Sequence, residues 1–424
     1  MADQSEAQDV HFEAIGPSSP YLDSDSPLAF LNKLVGGLID ASQSSLNPAM
    51  TSNLDFLRWL AAALVLVYHL RGAIFVAPMA SPALYENVWG VFFALLTNCG
   101  RQAVYLFFVI SGFLVGGGAL ADIKRGRFSV ARYTIHRFAR IYLVLAPALA
   151  VGLVFDLVRT HYFGINADCG GETLASYKLA TVAANALSLQ TLLSPELGSN
   201  TPLWSLAYEV WYYALFVAII GCMTSSGLKS YIYALLFVAM TIFILIFNYY
   251  ILAMFPLWLI GLFARCASAP IIRSKLLAWI IALLATFSYP VLIHYSPLLG
   301  SVVLACSFAN LIITLMFSQS RPSGQAAKIN ALLAGFSFSL YLTHAPLVTI
   351  IAVFFNDKPS PILHYGPGDW KGLLLFGAYF TIAALYAFAF SRLTEERTGQ
   401  FKRWLEARLL NHQRMNAAPV KKAL

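Results

Sequence analysis

Charge is what this chain of 424 residues is poorest in. Asp, Glu, Lys and Arg together make 11%, against about 25% in ordinary soluble domains. Apolar and aromatic residues make 59%. That balance excludes a water-soluble globule and points to the bilayer. Cysteine is sparse as well: five residues, with no Cys/His spacing of a zinc site, so no metal is expected. Cys222, Cys266 and Cys306 fall in or beside apolar runs, where a thiol acts as a small hydrophobe; Cys99 and Cys169 fall in loops on one side, which leaves room for one bridge. No basic start with an apolar run and a small-residue cleavage site opens the chain, which argues against a signal peptide. No Gly-x-Ser-x-Gly elbow marks a hydrolase nucleophile. No internal repeat is visible, and no loop is long enough for a separate soluble domain.

What is there in abundance is apolar runs near the 17–25 residues that cross a membrane as a helix. About ten occur, at 54–76, 103–121, 138–158, 203–222, 231–247, 251–264, 278–294, 298–317, 331–355 and 372–391. The expectation is an all-α, polytopic membrane protein of about ten transmembrane helices. Run 251–264 is the weakest, with Met254-Phe-Pro256 suggesting a short or broken span. Residues 88–98 are too few to cross and read as an extra interfacial or re-entrant helix. Lys124, Arg125, Arg127, Arg132, Arg137 and Arg140 lie between the second and third runs, in a loop read as 122–137. Because Lys and Arg stay on the cytoplasmic side, this densest cationic segment is placed inside, and both termini with it. The net charge of +8 then needs no nucleic-acid partner; an inner face beside anionic membrane lipid accounts for it.

Three segments follow. Residues 1–50 carry seven acids and one base, with Ser and Pro clusters, and read as a disordered acidic cytoplasmic leader in which Leu28 to Leu38 could form a short surface helix. Residues 51–395 form the membrane domain. Residues 396–424 close the chain as a basic cytoplasmic tail, amphipathic on the inner surface.

Ionisable side chains inside apolar runs are costly and mark function by default. Arg58 and His69 share the first run, eleven residues apart. At 100° and 1.5 Å per residue they fall on one helix face, roughly 16–17 Å apart. His69, near the outer end, has the pKa range of a general base for an alcohol; the bland alternative is a hydrogen bond to a neighbouring helix. Arg58 would hold an anion at the inner mouth, or simply pair with Asp55 at i,i+3. Arg137 and Arg140, in His136-Arg-Phe-Ala-Arg140, are either positive-inside anchors or, with Arg58, a polyphosphate clamp. Glu209, two turns into its run, is expected at the depth of His69, orienting the imidazole or holding a sugar hydroxyl. Ser111-Gly112 reads as a small-residue patch for close helix packing rather than a nucleophile. His344, mid-span, is a weaker polar candidate.

In order along the chain stand Leu54-Asp-Phe-Leu-Arg58-x10-His69, Phe107-Phe-x-x-Ser-Gly112, Arg137-x-x-Arg140-Ile, Leu203-Trp-Ser-Leu-x-x-Glu209 and Tyr341-Leu-x-His344-x-Pro. Together they resemble the acyltransferase 3 family of integral-membrane acyltransferases, which includes O-antigen and exopolysaccharide acetylases. The resemblance covers about residues 50–395. It implies transfer of an acyl group, usually acetyl from cytoplasmic acetyl-CoA as co-substrate with no permanently bound cofactor, to a hydroxyl of a glycan or lipid-linked glycan. His69, Glu209 and Arg58 would be catalytic; Arg58, Arg137 and Arg140 would bind the CoA moiety; Ser111, Trp204 and His344 would line the substrate path. A bacterial inner (cytoplasmic) membrane is the expected location. One departure is Tyr142-Leu143 after the arginine pair and Ile141, where a proline would be more usual. The rival class is a transporter or flippase for a lipid-linked sugar or organic anion, which would also align buried charges; the absence of visible repeat halves speaks against it.

Overall fold

The computed structural model describes residues 36–42, 46–164, 174–318, 324–354 and 365–416. The leader up to residue 35, Cys169 of the candidate bridge and residues 417–424 of the tail lie outside them. Among the described residues there is no β-strand, only helices and two isolated bridges.

The first span is one unbroken helix, α1 (Pro48–Ile74). Pro48 occupies its first turn, where no N–H is needed, and the Asn47 side chain accepts from the Met50 N–H at 2.7 Å. The 88–98 run forms the short helix α2 (Val88–Thr97), capped by Asn87 and followed after Asn98 and Cys99 by α3 (Gly100–Ser111). A π-helical turn, Gly112–Gly116, joins α3 to α4 (Gly117–Lys124). Next comes α5 (Val130–Phe163), whose 34 residues extend about 51 Å, longer than a bilayer core is thick. The basic segment expected as a loop over 122–137 is therefore corrected: only residues 125–129 link α4 to α5. Ser129 caps α5 so early that Arg132, Arg137 and Arg140 project from a rigid helix.

After the small α6 (Leu179–Ala186) come α7 (Leu203–Thr224), α8 (Leu228–Asn248), α9 (Tyr250–Arg265), α10 (Lys275–Tyr295) and α11 (Pro297–Met316). Then follow α12 (Gly324–Ala334), α13 (Ser337–Phe354), α14 (Trp370–Leu393) and α15 (Thr398–Asn416). Eight helical segments among the described residues are long and apolar enough to cross a membrane, nine if α12 and α13, bent by 47°, count as one span. The weak 251–264 run is α9, 16 residues with Pro256 inside it. Leu235 and Ile246 on α8 are each 70% exposed and only Ile244 of that helix is buried. So apolar a face is intolerable in water and at home in hydrocarbon. The chain is an integral membrane protein.

Close packing at the centre depends on glycine. A Cβ at Gly112 would lie 1.8 Å from the Trp258 carbonyl oxygen, and one at Gly261 1.9 Å from that of Val109. The backbones of α3 and α9 thus touch reciprocally, which is how helices associate where no hydrophobic force separates lipid from protein. The Ser111-Gly112 patch does what its small residues suggested. At the basic end α15 folds back onto α5: His136 Nε2 lies 2.5 Å from Glu406 Oε1, with Arg132 Nε 3.9 Å from the same oxygen. The helix expected on the membrane surface packs against the basic end of α5.

Candidate active site

Two cavities enter the bundle from opposite ends and share Val104 and Tyr341 in their linings. The one at the basic end has a volume of about 450 Å³. Arg58 from α1, Arg137 and Arg140 from α5, Glu209 from α7 and Lys402 from α15 line it. The other, of about 520 Å³, is lined by His69, Trp204, Arg101 and a group of tyrosines that includes Tyr68 and Tyr208. Helix α1 thus presents Arg58 to one cavity and His69 to the other, as their eleven-residue spacing requires.

The cations of the first cavity are not equivalent. Arg58 Nη1 lies 3.6 Å from Asp55 Oδ1, so the local ion pair and the cavity position coexist; Arg140, Glu395 and Glu209 are further charged neighbours. Arg140 Nη2 is 2.9 Å from Glu395 Oε1, and its guanidinium lies 5.3 Å from the Phe338 ring centre. Glu395 also accepts from the Ser339 N–H at 3.0 Å and hydroxyl at 3.1 Å. Arg137 sits between the Tyr133 and Tyr213 rings, 5.9 Å from each centre, with its Nε buried and without a hydrogen-bond partner. A guanidinium held by aromatic faces keeps its fork free for an incoming anion.

Glu209 is where the sequence reading needs correcting. It lines the arginine cavity, not the histidine one, and no hydrogen bond or ion pair to His69 is found among the described residues. Helix α7 borders both cavities: it presents Ser205, Leu206, Glu209 and Tyr213 to the arginine cavity and Trp204 and Tyr208 to the other. Its carboxylate accepts from the Tyr213 hydroxyl; Tyr213 takes a hydrogen bond from Ser111 at 2.9 Å, and Ser111 accepts from Trp258 Nε1 at 3.1 Å. Each hydroxyl proton in this relay is committed, and the relay ties α3, α7 and α9 together at the π-helical turn. Ser111 is a wall residue of the arginine cavity with its proton spent.

Trp204 lines the histidine cavity. His344 does not line either cavity: it is buried, with its ring centre 5.0 Å from that of His69. That corrects its reading as part of the path wall. Pro346 explains the local geometry. It cannot donate to the Leu342 carbonyl one turn earlier, so Asn200 Nδ2 does so at 2.9 Å.

Two residues of the site were not singled out from the sequence. Tyr341, whose hydroxyl meets Ser205 at 2.5 Å and the Pro202 carbonyl at 3.1 Å, stands between the cavities. Its place in Tyr341-Leu-x-His344 was the available signal. Arg101, at the start of α3, lines the same cavity as His69.

A family model described as an acyltransferase domain, of the acyltransferase 3 type, matches residues 51–392. No curated protein and no solved structure matches the chain.

Proposed function

Since this chain belongs to the acyltransferase 3 family, we propose that it is a membrane O-acyltransferase that takes an acyl group, acetyl in the first instance, from cytoplasmic acyl-CoA to a hydroxyl of a glycan or lipid-linked glycan. The observation that carries the reading is the pair of cavities: a cationic one and an aromatic, histidine-bearing one, meeting at Val104 and Tyr341. The cationic end is assigned to the cytoplasm by its Lys and Arg content.

Arg137, with Arg58 and Arg140 beside it, suits the phosphates of the CoA moiety, and the pantetheine arm would run along α1 toward Tyr341. The acceptor enters the other cavity, where aromatic faces suit sugar rings. His69 takes the proton of the acceptor hydroxyl as its oxygen attacks the thioester carbonyl. The C–S bond breaks, the electron pair leaves on sulfur, and the proton held by His69 passes to it. The products are an ester and free CoA thiol. A well-placed general base contributes on the order of 10²–10⁴-fold. Glu209, hydrogen-bonded by Tyr213, keeps the arginine cavity ordered and limits its positive charge; it takes no proton from the acceptor in this scheme.

The test is label transfer in detergent. Purified protein with radiolabelled acetyl-CoA and a lipid-linked or soluble glycan pool should yield labelled ester, and His69→Ala should abolish it. A transporter of a lipid-linked sugar would leave the label on CoA under the same conditions.

A further inference from the structure

His344 and His69 come from helices α13 and α1, distant in sequence, yet their ring centres are 5.0 Å apart. The state of His344 is fixed by its surroundings. Its Nδ1 faces two backbone carbonyls, Leu340 at 3.0 Å and Tyr341 at 2.9 Å. Carbonyl oxygens only accept, so the proton of a neutral His344 ring is on Nδ1 and Nε2 carries a lone pair. That Nε2 is buried and has no hydrogen-bond partner, while the residue as a whole is 1% exposed. A buried acceptor left unsatisfied costs about 1–3 kcal/mol and calls for an explanation.

His69 is the ring neighbour of His344 that lines the cavity, whereas His344 itself lines neither cavity. A neutral imidazole has one N–H and one basic nitrogen. If the N–H of His69 pointed into the cavity, the nitrogen needed to receive a proton would be turned away from the acceptor. Among the described residues no carboxylate pairs with His69 to set its tautomer, and Glu209 lines the other cavity.

We propose that His344 is the positioning residue of the acyl transfer: its Nε2 accepts the His69 N–H and so turns the basic nitrogen of His69 toward the acceptor hydroxyl. The bond forms on rotation of the His69 ring, whose centre already lies 5.0 Å from that of His344. When His69 takes the acceptor proton it becomes a cation at membrane depth, and the same lone pair stabilises that charge through a hydrogen bond without adding a full negative charge nearby. The proton returns to the CoA sulfur, so the pair ends as it began. This inference rests on His69 being the base.

The experiment compares His69→Ala, His344→Phe and His344→Gln, all purified in detergent, by kcat and KM for acetyl-CoA and for the acceptor. Gln places an amide oxygen near the position of Nε2 and preserves an acceptor; Phe preserves volume without one. His344→Phe is expected to lower kcat by about 10²-fold with both KM values within twofold, and His344→Gln to recover at least a tenth of the wild-type rate. Thermal unfolding in detergent checks that both variants fold. If His344→Phe keeps wild-type kcat while His69→Ala is inactive, the positioning role is overturned and His69 stays the base. If His344→Gln is as impaired as His344→Phe although both fold, an acceptor at the Nε2 position is not what the transfer needs and the positioning role is overturned. If His69→Ala is itself active, the underlying reading falls and this one with it.

Discussion

Arg140 and Glu395 form an ion pair, Nη2 to Oε1 at 2.9 Å, across the junction of α5 with the turn that follows α14. The carboxylate is 4% exposed and takes two further hydrogen bonds from Ser339, so it depends on the arginine for its charge balance. Arg137, three residues earlier, has aromatic neighbours and no carboxylate partner among the described residues. Two arginines of one motif are therefore built for different work.

Arg140→Ala should act first on stability. Removing one partner of a fully buried pair costs about 3–5 kcal/mol; with Arg140 one-third exposed, about 2 kcal/mol is expected, read as a lower unfolding midpoint in detergent.

Arg137→Ala should act first on donor use. KM for acetyl-CoA should rise about tenfold or more with the midpoint almost unchanged, and the wild-type KM should rise with ionic strength as charged contacts are screened. Equal stability losses in the two arginine variants would contradict this division.

The site was legible from the sequence where one helix decides the answer. Arg58 and His69 obey the period of α1, and the Ser-Gly patch obeys the rule for small residues. Glu209 was assigned to the wrong cavity because α7 borders both, with Trp204 and Tyr208 facing one and Glu209 and Tyr213 the other, and no periodicity says which face meets which cavity. His344 looked like a weak mid-span polar residue because its meaning comes from a ring on a helix about 270 positions away. The basic start of α5, residues 130–137, was read as part of a loop because charge density and helix formation are independent signals.

At the contact of α3 with α9, Gly112→Ala should cost at least the upper part of the 1–3 kcal/mol typical of overpacking, since the new methyl would have to displace the Trp258 backbone. Gly261→Ala should match it. Gly118→Ala, where nothing lies within 4 Å of the added carbon, should leave the midpoint where it was.

Val104 lines both cavities, so bulk at that position should obstruct passage between them. Val104→Phe should lower kcat severalfold or more and leave the acetyl-CoA KM near that of the wild type, measured on protein whose unfolding confirms that it is folded. A donor KM that rose in proportion would place the obstruction in the donor site instead.

The central claim is that donor and acceptor meet inside the bundle after entering from opposite sides. Sealed proteoliposomes test it directly, with the protein oriented so that its basic end faces the lumen. Radiolabelled acetyl-CoA is trapped inside and an impermeant glycan acceptor is supplied outside. Labelled ester should accumulate on the outside acceptor of intact vesicles containing wild-type protein and remain absent with His69→Ala. Transfer that required both substrates on the same side, or that appeared only after the vesicles were opened, would contradict it.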